Sequence, residues 1–409
     1  MLDVMSCMIL LSLVAGFFLP AVALRARSSQ VSKVSNLESY TFQQFVKDFQ
    51  RDYQQGTDQW TMREELFNKR IAEMVEFNAQ PAQTWNMGLS KFMDYTEAEK
   101  KGVLGYTGRG SHSARVVSPA ATSLQGSRQM PNSFSVKGAL SQKKRSSQLV
   151  GIVRDQGNCG SCWAEAATST LEGQMEVNAT LMDQLAALQN VSKVPATPTL
   201  ASQAVVSCTP NPRNCGGQGG CSGATVELAY GMLEERGGLP FAVEWSYMGR
   251  DVPCKEGVFS SPKIGITGFT VLPANKQEPL LEALVTTGGP IAISVDASNW
   301  FMYGTGIYSD GQTGDFTVNH AVTLMGYQMP EGDTVGWYDI KNSWGPHWGE
   351  SGHIRIEMKP DDEKHCGWDY KTHDGLACDG DPDTAWVCGT CGILYDSVFP
   401  TGLHFKHAA

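Results

Sequence analysis

Between positions 40 and 99 the hydrophobic residues recur at helical spacing. Phe42, Phe45 and Phe49 form one stripe, and Leu66, Phe67, Ile71, Met74 and Val75, with Asn78, a second. Residues three and four apart share a helix face, so two amphipathic helices are expected here. The stretch 105–129, rich in Gly, Ser, Ala and Arg, has no period and reads as an exposed linker that a protease can cut. A polar tract, 141–147, reads as a surface loop ahead of a strand-like run at 149–153. From Cys162 to about Val177 small and apolar residues (Ala164, Ala167, Leu171, Met175) return to helical spacing, which predicts a helix starting at or just before Cys162. The later half is strand-like at 264–272, 290–295, 320–327, 337–340 and 353–356. Helices early and strands late imply two packed subdomains with a cleft between them.

Composition narrows the class. The chain has 409 residues and 41% hydrophobic content. At roughly 150 residues per domain that suggests two or three folded units with real cores. The formal charge of -10, from 32 basic and 42 acidic residues, leaves no electrostatic footprint for nucleic acid or an anionic membrane. The uncharged run 4–24 contains Ala21-Val22-Ala23, the small-x-small pattern that signal peptidase accepts, so 1–23 is expected to be a cleaved secretory leader. The run is also long enough to span a bilayer, and Asp3 stands where a basic flank is usual, so an uncleaved anchor is the alternative and the one route to a membrane. The sequons at Asn178 and Asn190 agree with secretion into an oxidising lumen. Cysteine placement agrees too: apart from Cys7, all the cysteines fall between Cys159 and Cys391.

The most informative segment is Gln156-Gly157-Asn158-Cys159-Gly160-Ser161-Cys162-Trp163-Ala164. A cysteine at a helix N-terminus meets unpaired N–H groups and the positive end of the macrodipole, which stabilise its thiolate, the nucleophilic form. A neighbouring imidazolium would lower the pKa further and supply the proton a leaving amine needs. Of the eight histidines, His320 has the best setting, opening a buried-looking strand in Val318-Asn319-His320-Ala321-Val322. Asn342, in Lys341-Asn342-Ser343-Trp344-Gly345, offers an amide oxygen to the far ring nitrogen, and Trp344 a shield over that bond.

These blocks, with 342–352, Ser202-Gln203 through Cys208, and Cys391-Gly392-Ile393, resemble the papain-family cysteine proteases, nearest the cathepsin L-like branch. The resemblance spans most of 130–400. It implies an α+β, papain-like fold with a helical left subdomain, a β-barrel-like right subdomain and an N-terminal helical propeptide. It implies Cys162 as nucleophile, His320 as acid and base, Asn342 as its orienter, and Gln156 as oxyanion donor beside the Cys162 N–H. It places Gly223, Ala321, Trp344 and Asp396 against substrate, and pairs Cys159 with Cys221 and Cys208 with Cys254. The proregion motif of such zymogens is degenerate but in register here. Arg63, Phe67 and Asn78 fit it, Gln59, Arg70 and Met74 replace the usual residues, and Gly88, Ser90, Phe92 and Asp94 follow. The expected division is leader 1–23, inhibitory propeptide and linker 24–128, and peptidase domain 129–409. The partners expected are peptide substrates, the chain's own propeptide and cystatin-like inhibitors. No cofactor or metal is expected, and the compartment is the secretory route to a lysosome-like or extracellular site.

Other readings remain beside this one. Cys159-Gly160-Ser161-Cys162 and Cys388-Gly389-Thr390-Cys391 are formally C-x-x-C, as a thiol oxidoreductase or zinc site would use, but neither explains Gln156, His320 and Asn342 together. An inactive papain-fold binding protein would usually show Ser or Gly in place of Cys162. Asp379, Asp381 and Asp383 alternate like calcium ligands but lack an EF-hand's Gly and distal Glu, so a solvated loop is expected. Cys215, Cys366, Cys378, Cys388 and Cys391 cannot all pair with one another. Glu165 replaces the family's usual Phe and is expected to face solvent with little effect on the thiol. Ser135-Val136 replaces the usual Asp-Trp near the mature start. No His-His pair is present to hold a substrate carboxylate, which points to an endopeptidase. The resemblance implies that Asp396, five beyond Cys391, lies at the floor of the pocket for the second residue before the scissile bond. Leu or Phe is expected there, with Arg gaining as the carboxylate ionises.

Overall fold

The structure is a computed structural model describing residues 37–106, 130–189, 194–309, 311 and 315–408. The leader, Cys7, most of the 105–129 linker and the Asn190 sequon lie outside them. The helices are α1 (Phe42–Asp48), α2 (Asp58–Asn78), α3 (Glu97–Val103), α4 (Val136–Gln142), α5 (Cys162–Val177), α6 (Ala179–Leu188), α7 (Ser202–Cys208), α8 (Val226–Arg236) and α9 (Gln277–Thr287). The strands are β1 (Trp85–Met87), β2 (Ser133–Ser135), β3 (Leu239–Pro240), β4 (Lys263–Gly265), β5 (Gly268–Val271), β6 (Ile291–Val295), β7 (Tyr303–Tyr308) and β8 (Asp315–Phe316). They continue as β9 (His320–Gln328), β10 (Gly336–Lys341), β11 (His353–Met358), β12 (Cys366–Asp369), β13 (Ala385–Cys388), β14 (Asp396–Thr401) and β15 (His404–Lys406).

Among the described residues three large apolar cores give three bodies, and a small fourth cluster joins Phe316, Val318 and Val387. The first collects Tyr40, Phe42, Phe45, Trp60, Phe67 and Met74 from α1 and α2, both capped at their starts by a threonine, Thr41 and Thr57. The second packs around α5, a helix buried on every side, with α7 and α8 against it. The third lies along a nine-stranded sheet in the order β1-β7-β11-β10-β9-β6-β14-β5, with β2 on β9. Strand β1, from the N-terminal body, joins this sheet antiparallel to β7. Gly88 and Gly304 allow the approach, since a Cβ on Gly88 would stand 2.8 Å from the Gly304 Cα.

Two expectations are corrected here. The 149–153 run is a turn, not a strand, because its polar backbone is satisfied by side chains. The N–H groups of Leu149 and Val150 donate to the Glu176 carboxylate at 3.1 and 2.7 Å, and Lys341 Nζ donates to the Val150 carbonyl at 3.2 Å. The buried stripe of α2 also differs, running Trp60, Arg63, Phe67, Arg70, Met74. Its two arginines are buried because they donate to the carbonyls of Asp94, Phe92 and Tyr95 and face Glu99 and Glu97.

Four disulfides tie the later body together. Cys159–Cys221 and Cys208–Cys254 are the pairs implied by resemblance, and the pairing removes the C-x-x-C at Cys159. Cys215–Cys378 and Cys366–Cys388 are the other two. Cys162 and Cys391 are buried outside them. The segment 359–390 carries β12, β13 and one end of the Cys215–Cys378 bond, which reaches the loop before α8. Of its aspartates, Asp379 accepts from Asn214 Nδ2 at 2.8 Å and Asp381 from the Cys378 N–H at 3.0 Å, both half-buried, while Asp383, paired with His373 at 2.9 Å, is exposed.

Candidate active site

Cys162 is the first residue of α5, and its Sγ sits where the helix leaves N–H groups unpaired. The Ala321 N–H donates to it at 3.3 Å from across the cleft. His320 opens β9 and is held by antiparallel pairing with Val295 on β6, a rigid platform for the ring. Its Nε2 lies 2.9 Å from Asn342 Oδ1, which also accepts the Ser343 N–H at 2.7 Å. Trp344 covers that contact with its ring centroid 4.9 Å from the imidazole. Phe301 stacks on the outer face of Trp344, so water is kept from the bond.

Gln156 is fully buried next to Cys162. Ser343 Oγ donates to its Oε1 at 2.7 Å, which leaves Nε2 as the end that points into the cleft. That Nε2 donates to the Val103 carbonyl at 2.8 Å and to the Cys159 carbonyl at 2.9 Å. The structure therefore brings Cys162, His320, Asn342, Gln156, Ala321 and Trp344 to one place.

The N-terminal body occupies this place. After α3, Gly105 lies directly on Cys162: a Cβ there would collide with the sulfur and with the Gly160 carbonyl. The Gly105 carbonyl is pressed against Gly223, whose φ of 95° and missing side chain make the approach feasible. Tyr106 then turns into a pocket, its N–H donating to the Asn319 carbonyl at 3.2 Å and its hydroxyl 3.0 Å from Ser294 Oγ. Ser294 in turn donates to Asp396 Oδ2 at 2.5 Å, so Asp396 lies at the base of the pocket that Tyr106 fills.

Coverage sets the electrostatics. Burial pushes the Cys162 thiol up to about 12, against the opposing pull of N–H groups from Ala321, Gly105 and Trp163. Burial also lowers His320 to about 4, with the Asn342 bond acting the other way. His320 Nδ1 is buried and has no hydrogen-bond partner. Thiol and imidazole are thus both neutral, rather than the thiolate and imidazolium expected from an open helix terminus, because the covering segment excludes the water that would solvate the charges.

Glu165 is corrected as well. It is 2% exposed rather than solvated, because Arg154 reaches it at 3.3 Å and Glu172 at 2.5 Å. Spacing alone did not point to Arg154 as its partner. Ser294 and Tyr106 were missed too, having no motif around them. Asn178 serves as the N-cap of α6, accepting the Leu181 N–H at 3.1 Å.

A family model, the papain family cysteine proteases, matches residues 139–373. A cathepsin L of Sarcophaga peregrina is 30% identical over 313 residues, 75% of this chain and 83% of that protein. A cathepsin L-like protein of Caenorhabditis elegans is 29% identical over 372 residues, 89% of this chain and 97% of its own length. Among solved structures, the digestive procathepsin L2 proteinase from Tenebrio molitor larval midgut superimposes with a TM-score of 0.64 at 23% identity, covering 88% of this chain and 98% of that one.

Proposed function

From the premise that the chain belongs to the papain family and is a cathepsin L-like cysteine protease zymogen, we propose that it is an endopeptidase acting through Cys162, His320, Asn342 and Gln156. The observation that carries this is the Gly105 backbone seated on Cys162 within the His320, Asn342 and Gln156 cluster, where a peptide substrate would lie.

Once the proregion leaves, water returns to the cleft and the thiol can pass its proton to His320. The thiolate attacks a substrate carbonyl carbon, and the negative charge moves to the carbonyl oxygen. Gln156 Nε2, freed from Val103, and the Cys162 N–H are the donors placed to hold that oxyanion. Collapse breaks the C–N bond as His320 gives its proton to the departing amine, leaving a thioester. His320, held in orientation by Asn342, then takes a proton from water, which attacks the thioester and restores the thiol.

The same reading divides the chain into a leader at 1–23, a proregion at 24–128 and a peptidase domain at 129–409, made in the secretory pathway for an acidic or extracellular compartment. Its partners are peptide substrates, the proregion and cystatin-like inhibitors. The test is covalent labelling by the epoxide E-64 after processing. Labelled parent with unlabelled Cys162→Ala, and loss of peptide hydrolysis with it, is the expected result. A processed parent that neither labels nor cleaves defeats the proposal in favour of an inactive binding protein.

A further inference from the structure

The catalytic cluster makes no use of the exposed aromatic residues. Among the described residues the large aromatic side chains left exposed are Trp368, Tyr370 and Trp386, at 42, 58 and 45%, and all three belong to the 359–390 segment. The pairing of β12 with β13 brings them together. The strands run antiparallel with Cys366 opposite Cys388 and Trp368 opposite Trp386. Side chains alternate faces along a strand, so the Cys366–Cys388 bond and the two indoles share one face, and the bond braces the ribbon beside the rings. The indole centroids lie 5.0 Å apart at 67°, an edge-to-face corner, and the Tyr370 ring stands 6.4 Å from that of Trp368. Asn275 closes the outer edge of β13, donating to the Trp386 carbonyl at 2.8 Å and accepting the Cys388 N–H at 2.9 Å. What the ribbon offers a ligand is therefore its rings and not its backbone.

Trp386 also walls a cavity of about 680 Å³, together with Leu228 of α8, Phe269 and Val271 of β5, and Leu376. This cavity adjoins the pocket that Tyr106 fills, because three of its wall residues are chain neighbours of residues that hold Tyr106. Cys215 precedes Gly216, on which a Cβ would stand 2.9 Å from the Tyr106 ring. Val318 precedes Asn319, whose carbonyl accepts the Tyr106 N–H, and Tyr395 precedes Asp396, which lies behind Ser294 and the phenol. The carboxyls on the wall are already engaged. Glu227 shares a hydrogen bond with Asp396, Asp369 accepts the Val318 and Lys371 N–H groups, and Asp381 accepts from the Cys378 N–H and from Arg213. The wall left to a ligand is apolar, and it ends at the Trp386 ring.

We propose that the cavity and the Trp368–Trp386 corner form a docking site for the upstream part of a substrate polypeptide, taking a large apolar or aromatic side chain four residues before the scissile bond. The inference rests on the catalytic reading above, with the second residue before that bond in the pocket Tyr106 vacates. Continuity identifies the occupant as peptide: the adjoining pocket is already filled by a peptide segment, which passes from Gly105 on Cys162 to Tyr106 beside the cavity. In an extended chain the side chains alternate faces and each residue advances about 3.3 Å, so the fourth residue points the same way as the second, about 7 Å further on. A side chain there removes the exposed rings from water and gains edge or offset contact with them.

The experiment gives the processed enzyme three reporter peptides with the same residues nearest the scissile bond. One stops at the third residue before it, and the others continue with Trp or Ser at the fourth. The parent should cleave the Trp peptide with a kcat/KM about 10-fold above that of the Ser peptide, the size of one well-packed aromatic contact. The gain should lie in KM, since the contact is remote from the reacting atoms. Replacing Trp368 and Trp386 together by Ala should bring the Trp peptide down to the Ser peptide and leave the short peptide unchanged. Short-peptide turnover reports that a variant is folded; if the paired variant loses it, Trp368→Ala alone must still cut the Trp-to-Ser ratio by about half. Equal values for the Trp and Ser peptides in the parent, or an unchanged ratio in a variant that keeps short-peptide turnover, overturns the inference alone. So does a parent that sediments as a dimer beside a monomeric Trp368→Ala variant, the rings then serving a second copy. A parent that cleaves none of the peptides overturns the catalytic reading and the inference together.

Discussion

At the scale of single residues, the covered cysteine behaves as a buried thiol and not as a nucleophile. Its pKa near 12 and that of His320 near 4 share one cause, exclusion of water by Gly105 and its neighbours. Iodoacetamide should therefore alkylate Cys162 in the intact precursor only at strongly alkaline pH, and in the processed enzyme at neutral pH, as a rate-against-pH series would show. Gly105→Ala should uncouple the two states. Its Cβ cannot coexist with Cys162 Sγ and the Gly160 carbonyl, so the precursor should become alkylatable near neutrality while its secondary structure, read by circular dichroism, stays unchanged.

Among the elements, α2 and α3 decide how stable the proregion's own fold is, and it must stay folded to cover Cys162. Two short bonds of 2.6 Å from Arg63 hold the Glu99 carboxyl down to about 2, from an ordinary 4.5. Because the bound-state pKa is depressed, this contact contributes fully above about 4.5 and is lost as pH falls from there toward about 2. Glu97, also lowered by Lys100 and Arg70, follows the same sign. Release of the proregion should thus accelerate below about pH 4.5, a lower range than lysosome-like acidity alone would demand. Glu99→Gln should release faster at neutral pH and show a shallower pH dependence, measured as self-processing rate or as inhibition by proregion added in trans.

For the whole molecule, the disulfide of greatest reach among the described residues is Cys215–Cys378, joining positions 163 residues apart and bridging the loop before α8 to the 359–390 segment. A cross-link closing so long a loop restricts the unfolded chain strongly, so replacing both cysteines by serine should cost roughly 2–5 kcal/mol in denaturant unfolding.

The sequence alone determined those features that depend on neighbours along the chain. The α5 helix begins and ends at the residues its spacing implied, and strands β6, β9, β10 and β11 lie where the β-rich runs placed them, since period and helix termini are local physics. The blocks around Cys162, His320 and Asn342 were legible because each is a contiguous motif. What only the tertiary structure decided was where distant groups meet. Arg154 buries Glu165, Glu176 consumes the N–H groups of an apparent strand, and Glu227 faces Asp396 across two bodies. No local pattern encodes such pairs, because the free energy of a charge or an unpaired donor is set by whatever lies a few ångströms away in space and not by its place in the chain.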